Sequence, residues 1–298
     1  MTVTTDGPFR VVGARTSANP DLSGTEDCLL RAAVASNLDR TTGDQLRLWP
    51  VDAPEKAAAY TIQQTFETTT RDPPADIVLP SAECDRLADD QPFKARLAAT
   101  VPDPGRSYVD AWEHDGICET VWDDGSADLL VCAPHAGDIE ANTGRIAATI
   151  RKRLGGDRAS AWFVHGFGPD AFDRYHITTN DMAPASYPGL ARLADRSFRL
   201  VVSVHVWGGD EVLVGGLARD SLRERIAQRI HAAVEGDRPV VTDYETGKYM
   251  AATQDNLVNW LSADGTTGVQ LECPPYVVNR YRRPVARAVA DVCADVLH

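Results

Sequence analysis

The chain has 298 residues, 43% of them apolar and 24% charged, enough for a sizeable core and more than one compact domain usually holds. Its formal net charge of -13 excludes a nucleic-acid partner held through phosphates, because such binding needs a cluster of Lys and Arg. No apolar run approaches the ~18 residues of a membrane span, so a soluble protein with no membrane partner is expected.

Residues 1–104 read as a small β-rich domain. The opening "MTVTTDGPFRVVGAR" lacks the apolar centre of a secretory signal. Short apolar runs then follow between polar breaks, "FRVV", "DQLRLWPV", "AAYTIQQTF" and "ADIVLP", a spacing that suits short strands. Within this part "CLLRAAVASNL" (28–38) and "IVLPSAECDRL" (77–87) align without a gap, Leu30 with Leu79, Ala33 with Ala82 and Leu38 with Leu87, which points to an internal duplication. The stretch "LLRAAVASNLDRTTGDQLRLW" resembles the helix, turn and strand unit of AbrB-like swapped-hairpin barrels. Such domains often bind DNA. An acidic copy with scattered Arg suits a packing role instead, with a protein partner or self-association through residues 1–104.

Pro102, Pro104 and Gly105 mark the join, and residues 105–298 alternate strand and helix signals. "ADLLVCA" (127–133) precedes a helix expected over about Ile139–Leu154, with Ile146, Ile150 and Leu154 on one stripe. "AWFVHGF" precedes a helix around 186–196, "FRLVVSVHV" one around 219–234, and "TGVQLEC" the terminal "RYRRPVARAVADVCADVLH". The pattern predicts an α/β domain with a central, mainly parallel or mixed sheet flanked by helices.

In such sheets the functional cleft lies beyond the carboxyl ends of the strands. Three expected strands end there on His135, His205 and Glu272, and the loop after the first adds Glu140. Two His and one Glu form an established zinc set that leaves a position for water. His135 and Glu140 are five apart and cannot stack on one helix face, so the chain must bend between them. Gly137 supplies the bend, and Asp138 is the expected helix N-cap. Glu272 is left as the carboxylate that moves a proton. This constellation implies metal-dependent hydrolysis of an amide-like bond.

"APHAGDIEANTGRIA", "HITTN" (176–180), "VVSVHVWGGDEVLVGG" (201–216) and "GVQLE" (268–272), in that order, resemble the poly-γ-glutamate hydrolase family over about residues 106–298. The resemblance implies a zinc-carboxypeptidase-like fold and a γ-glutamyl polymer or small amide as substrate. It also implies Zn²⁺ on His135, Glu140 and His205, with Glu272 as general base. Where the family has a glycine-rich block, this chain has Ala136 and Asp138. His176 in "RYHITTN" is expected to stabilise the oxyanion or the substrate, with Arg174 as a partner, and His165 to be a core or supporting residue. A substrate with a carboxylate on every unit asks for a guanidinium. Arg145 is the first choice, ahead of Arg174, Arg280, Arg282 and Arg283, and Tyr276 is a further substrate contact. The rival functions are carboxypeptidase-like cleavage, N-acyl amino acid hydrolysis, and a non-catalytic, partner-binding role.

Two compositional features concern the setting. Basic charge is carried almost wholly by Arg, the lysines being Lys56, Lys94, Lys152 and Lys248, and Asp outnumbers Glu, as in proteins of salt-loving organisms. Cys28, Cys84, Cys118, Cys132, Cys273 and Cys293 show no C-x-x-C pair and read as reduced thiols of a cytoplasmic protein.

Overall fold

A computed structural model describes residues 7–14, 22–67, 74–242 and 249–297. The chain divides into two compact units, Met1–Cys118 with Gly166–Pro188, and Glu119–His165 with Gly189–His298.

In the first unit the short apolar runs form β1 (Phe9–Ala14), β2 (Asp27–Arg31), α1 (Ala32–Leu38), β3 (Gln45–Pro50), β4 (Ala58–Phe66), β5 (Ile77–Pro80), α2 (Ser81–Leu87), β6 (Phe93–Ala98) and α3 (Tyr108–Glu113). The strands close into a barrel in the order β1-β5-β2-β4-β3-β6, which leaves no strand edge unpaired. The duplicated stretches have the same build. β2 runs into α1 through an extended Arg31 as β5 runs into α2 through an extended Pro80. In the parallel pairs, Val11 of β1 stands opposite Ile77 of β5, and Ile62 of β4 opposite Cys28 of β2. In the antiparallel pairs, Phe9 faces Ala95 as Tyr60 faces Leu46. Two equivalent halves therefore interleave, and Val11, Leu30, Leu46, Ile62, Ile77 and Leu79 fill one shared interior.

The second stretch of chain adds β7 (Ile117–Trp122), β8 (Leu129–Gly137), α4 (Thr143–Leu154), β9 (Ala159–Gly166), α5 (Ala171–Tyr175, in the first unit), α6 (Pro188–Leu193), β10 (Leu200–Val206) and β11 (Val212–Gly215). α7 (Asp220–Ala233), β12 (Val240–Val241), α8 (Leu257–Trp260), β13 (Gly268–Cys273), α9 (Pro275–Arg280) and α10 (Arg282–Val296) complete it. The sheet has the order β12-β11-β13-β10-β8-β9-β7. β10 runs parallel to both β8 and β13, and β11 is antiparallel to β13, so the sheet is mixed. On one face Val131, Val202, Val204, Val269 and Leu271 share a core with Ile146, Ile150 and Leu154 of α4, Ile226 and Ile230 of α7, and Val285 and Val289 of α10. Burying each such side chain stabilises the fold by ~1.5–3 kcal/mol.

One local expectation fails. The helix expected from Ile139 begins at Thr143, and Asn142 before it is left-handed with φ 71°. Asp138 is exposed, and Asn142 stands at the N-cap position in its place. The cause is the bond from Glu140 N–H to the carbonyl of His135 (2.9 Å), which closes a separate turn before the helix can begin. Among the described residues no helix is long and apolar enough to cross a membrane.

Glycines set how closely β11 approaches its neighbours. A Cβ on Gly216, whose φ is 98°, would stand 2.2 Å from the carbonyl oxygen of Gly268 at the start of β13. Gly216→Ala is therefore expected to lower stability by about 2–4 kcal/mol in urea unfolding, since strain and a backbone clash combine. Gly208→Ala, at a site with nothing within 4 Å, is expected to change it by less than about 0.5 kcal/mol.

Candidate active site

β8 ends in a turn that returns a carboxylate to the strand it left. His135 lies near the end of β8, and Gly137, with φ 78°, bends the chain as expected. Thr143 Oγ1 donates to the carbonyl of Glu140 (2.8 Å) and lies 3.3 Å from that of His135, which stitches the turn at its base. Glu140 is thereby folded back under the sheet end. Its Oε1 lies 2.9 Å from His135 Nδ1 and its Oε2 3.4 Å from His205 Nδ1. The N–H of Val206 donates to Oε2 at 2.9 Å, and the two Nδ1 atoms are 3.2 Å apart. His135, His205 and Glu140 are 2%, 3% and 6% exposed, so this is a buried convergence of donors.

These separations suit a shared cation. With bonds of 2.0–2.1 Å, two ligands on a tetrahedral zinc stand about 3.3 Å apart, and the distances here bracket that value. Two imidazoles and a carboxylate, arriving from β8, its turn and β10, are a donor set that suits a divalent cation. Burial works against ionisation of Glu140, but the neighbouring His135 and His205 outweigh it and hold its carboxyl well below the usual carboxylate range.

Glu272 arrives from β13. The parallel register sets it directly beside His205, and it is 5% exposed. Burial first, and then the charge of Glu140, raise its carboxyl well above the usual range. Gln270, two residues earlier and on the same face of the strand, donates from Nε2 to Glu272 Oε1 at 3.0 Å. Neither this bond nor the part played by Thr143 is visible in the motif alone. Strand alternation from Glu272 is the signal that singles out Gln270.

The altered glycine block has a packing counterpart. Ala136 is fully buried, and a Cβ on Gly144 of α4 would come within 2.9 Å of the Ala136 Cβ, so Gly144 leaves the room that Ala136 takes. Arg145, the next residue, is exposed on α4. Tyr276, at the start of α9, is 39% exposed, with the guanidinium groups of Arg238 and Arg280 5.1 and 5.9 Å from its ring. His176 and Arg174 belong to the first unit. His176 follows α5 and stacks on Phe172 with ring centroids 4.4 Å apart. Arg174 is buried, donates from Nε to the carbonyl of Ala57 at 2.9 Å and hydrogen-bonds Tyr175 through Nη2.

The comparisons with known proteins bear on family and fold. The poly-gamma-glutamate hydrolase family matches residues 117–280, which contain His135, Glu140, His205 and Glu272. The chain belongs to that family. A bacteriophage poly-gamma-glutamate hydrolase has the same fold, with 21% identity and a TM-score of 0.50 over 60% of this chain and 89% of that one. The carboxypeptidase A of Helicoverpa armigera is 12% identical, with a TM-score of 0.40 over 62% of this chain and 67% of that one. The cell shape determinant protein Csd4 of Helicobacter pylori, in its apo form, is 11% identical, with a TM-score of 0.41 over 61% and 55%. No curated protein matches. As a member of the poly-gamma-glutamate hydrolase family the chain is a hydrolase.

His165 on β9 stacks on Phe163, with ring centroids 5.5 Å apart, and burial lowers its pKa to about 4. Its protonation is resisted only in the folded state. The stability tied to its neutral form is thus complete above the unfolded value of about 6.5 and is lost as pH falls toward 4. Its ring protons are expected to show an NMR midpoint near 4. Between pH 7 and pH 5 the wild type should lose stability relative to His165→Asn.

Proposed function

We propose that the protein is a zinc-dependent hydrolase that cleaves γ-glutamyl amide bonds in a poly-γ-glutamate-like polymer. The observation that carries this reading is the convergence of His135, Glu140 and His205 within 3.4 Å, with Glu272 beside His205. His135, Glu140 and His205 would hold Zn²⁺, which when bound polarises the scissile carbonyl and acidifies the attacking water. Glu272 accepts the proton of that water and delivers it to the leaving nitrogen as the C–N bond breaks, giving a carboxylate and an amine. Its buried position keeps the proton transfer away from bulk water. His176 is assigned to oxyanion or substrate stabilisation. Arg145, whose guanidinium is exposed on the helix that follows the ligand turn, and Tyr276 are assigned to the substrate's carboxylates and backbone. Arg174 remains a substrate contact in this reading, although its bonds to Ala57 and Tyr175 suit it first to support.

We read the setting as cytoplasmic and salt-adapted, on the acidic balance and six buried cysteines with no C-x-x-C pair. The AbrB-like part of the chain, residues 1–104, is assigned to self-association or a protein partner.

The test is metal-loaded protein on poly-γ-glutamate, α-peptides and N-acyl amino acids, at low and high salt, with polymer length and new amines as readouts. Shortening of the polymer is expected. Glu272→Gln should lower the rate about 10²–10⁴-fold with zinc content unchanged, and His205→Ala should lose the zinc. Cleavage of acyl amino acids or α-peptides with the polymer left intact would instead select one of the rival amidases.

A further inference from the structure

Gln270 and Glu272 lie on the same face of β13, and the surroundings of Gln270 admit only one orientation of its side-chain amide. Nε2 carries two hydrogens, and two acceptors face it, Glu272 Oε1 at 3.0 Å and the carbonyl of Tyr249 at 3.0 Å. Oε1 faces the Nδ2 amide of Asn256 at 3.3 Å. Turning the amide over would set an oxygen against two oxygens and a nitrogen donor against another. Asn256 is fixed in its turn, because its Oδ1 accepts the N–H of Val258 (3.2 Å) as the cap of α8. Gln270 and Asn256 are 4% and 3% exposed, so water does not compete for these bonds.

The segment at the other end of this network is under backbone constraint. Tyr249 and Ala251 adopt φ of 64° and 47°, and the carbonyls of Ala251 and Thr253 are both taken by Asn259 Nδ2, at 2.8 and 2.7 Å. The ring of Tyr249 is 56% exposed and lies 5.9 Å from that of Trp207, two residues beyond His205. One amide thus ties the carbonyl of Tyr249, whose ring is paired with the half-buried Trp207, to a carboxylate next to the donor group.

We propose that Gln270 is a positioning residue for Glu272. Its Nε2 fixes the rotation of the Glu272 carboxylate and so sets the direction in which the other oxygen meets the attacking water. This rests on the assignment of Glu272 as the base. The terminal torsion of a glutamate is broad when nothing holds it, and a displacement of about 1 Å at a reacting group costs up to about 10²-fold in rate. The effect of Gln270 therefore belongs to kcat and passes entirely through Glu272.

The test compares wild type, Glu272→Gln, Gln270→Met and the double variant for kcat, KM and zinc content. A crystal structure of Gln270→Met is added as a readout independent of turnover. Gln270→Met keeps the side chain's shape and removes its donors. It is expected to lower kcat about 10- to 100-fold, to leave KM within about twofold and zinc unchanged, and to show the Glu272 carboxylate rotated. The double variant should be no slower than Glu272→Gln alone, because two residues acting as one unit are not additive. Gln270→Leu, which also removes the donors, should behave like Gln270→Met and serves if that variant folds poorly. An unmoved carboxylate, an unchanged kcat, or a double variant slower than Glu272→Gln by the full Gln270→Met factor would overturn the proposal. Full activity in Glu272→Gln would strike at the base assignment instead, and the carboxylate's position in the Gln270→Met crystal would still judge Gln270.

Discussion

The second unit is organised around a carboxylate buried between two imidazoles. Taking a carboxylate out of water costs several kcal/mol unless it is paired and hydrogen-bonded, and Glu140 is met by His135 at 2.9 Å, His205 at 3.4 Å and the N–H of Val206 at 2.9 Å. Each partner depends on a different feature of the fold. His135 needs β8 to stop at a left-handed Gly137, His205 needs β10 in parallel register beside β8, and the Val206 N–H must be free of the sheet at the end of β10. Removing one partner would leave the others with an uncompensated buried charge, which is the more destabilising event.

The parallel register carries the next layer. Because β10 pairs with β13, His205 stands directly beside Glu272, and the charge of Glu140 adds to burial in raising the Glu272 carboxyl. The two carboxyls are thereby shifted in opposite directions, Glu140 toward greater acidity and Glu272 toward greater basicity, which is the separation expected of a ligand and a proton acceptor. The amides of Gln270 and Asn256 then fix the second carboxylate from behind.

Much of this was legible in the sequence where chemistry and punctuation coincide. His135, His205 and Glu272 stand at the ends of apolar runs, and a glycine separates His135 from Glu140, so their convergence followed from strand ends alone. The start of α4 was not legible, because apolar spacing extends back to Ile139 while the bond from Glu140 N–H to His135 O breaks the helix there. The duplicated "CLLRAAVASNL" and "IVLPSAECDRL" disclosed a repeat. Their interleaving into one barrel rests on pairings such as Val11 with Ile77, across distances in the chain that local pattern does not encode. The inclusion of residues 166–188 in the first unit is likewise a long-range fact. Gln270 was written in the motif, but its role emerges only when Tyr249 and Asn256 are brought to it from elsewhere in the chain.

The most direct measurement is anomalous diffraction at the zinc edge from crystals of the metal-loaded protein. The account predicts a single strong peak about 2.0–2.2 Å from one nitrogen of His135, one of His205 and a carboxylate oxygen of Glu140, with Glu272 beside it and not ligated. No peak at that position, or a zinc ligated by Glu272 in place of Glu140, would contradict it.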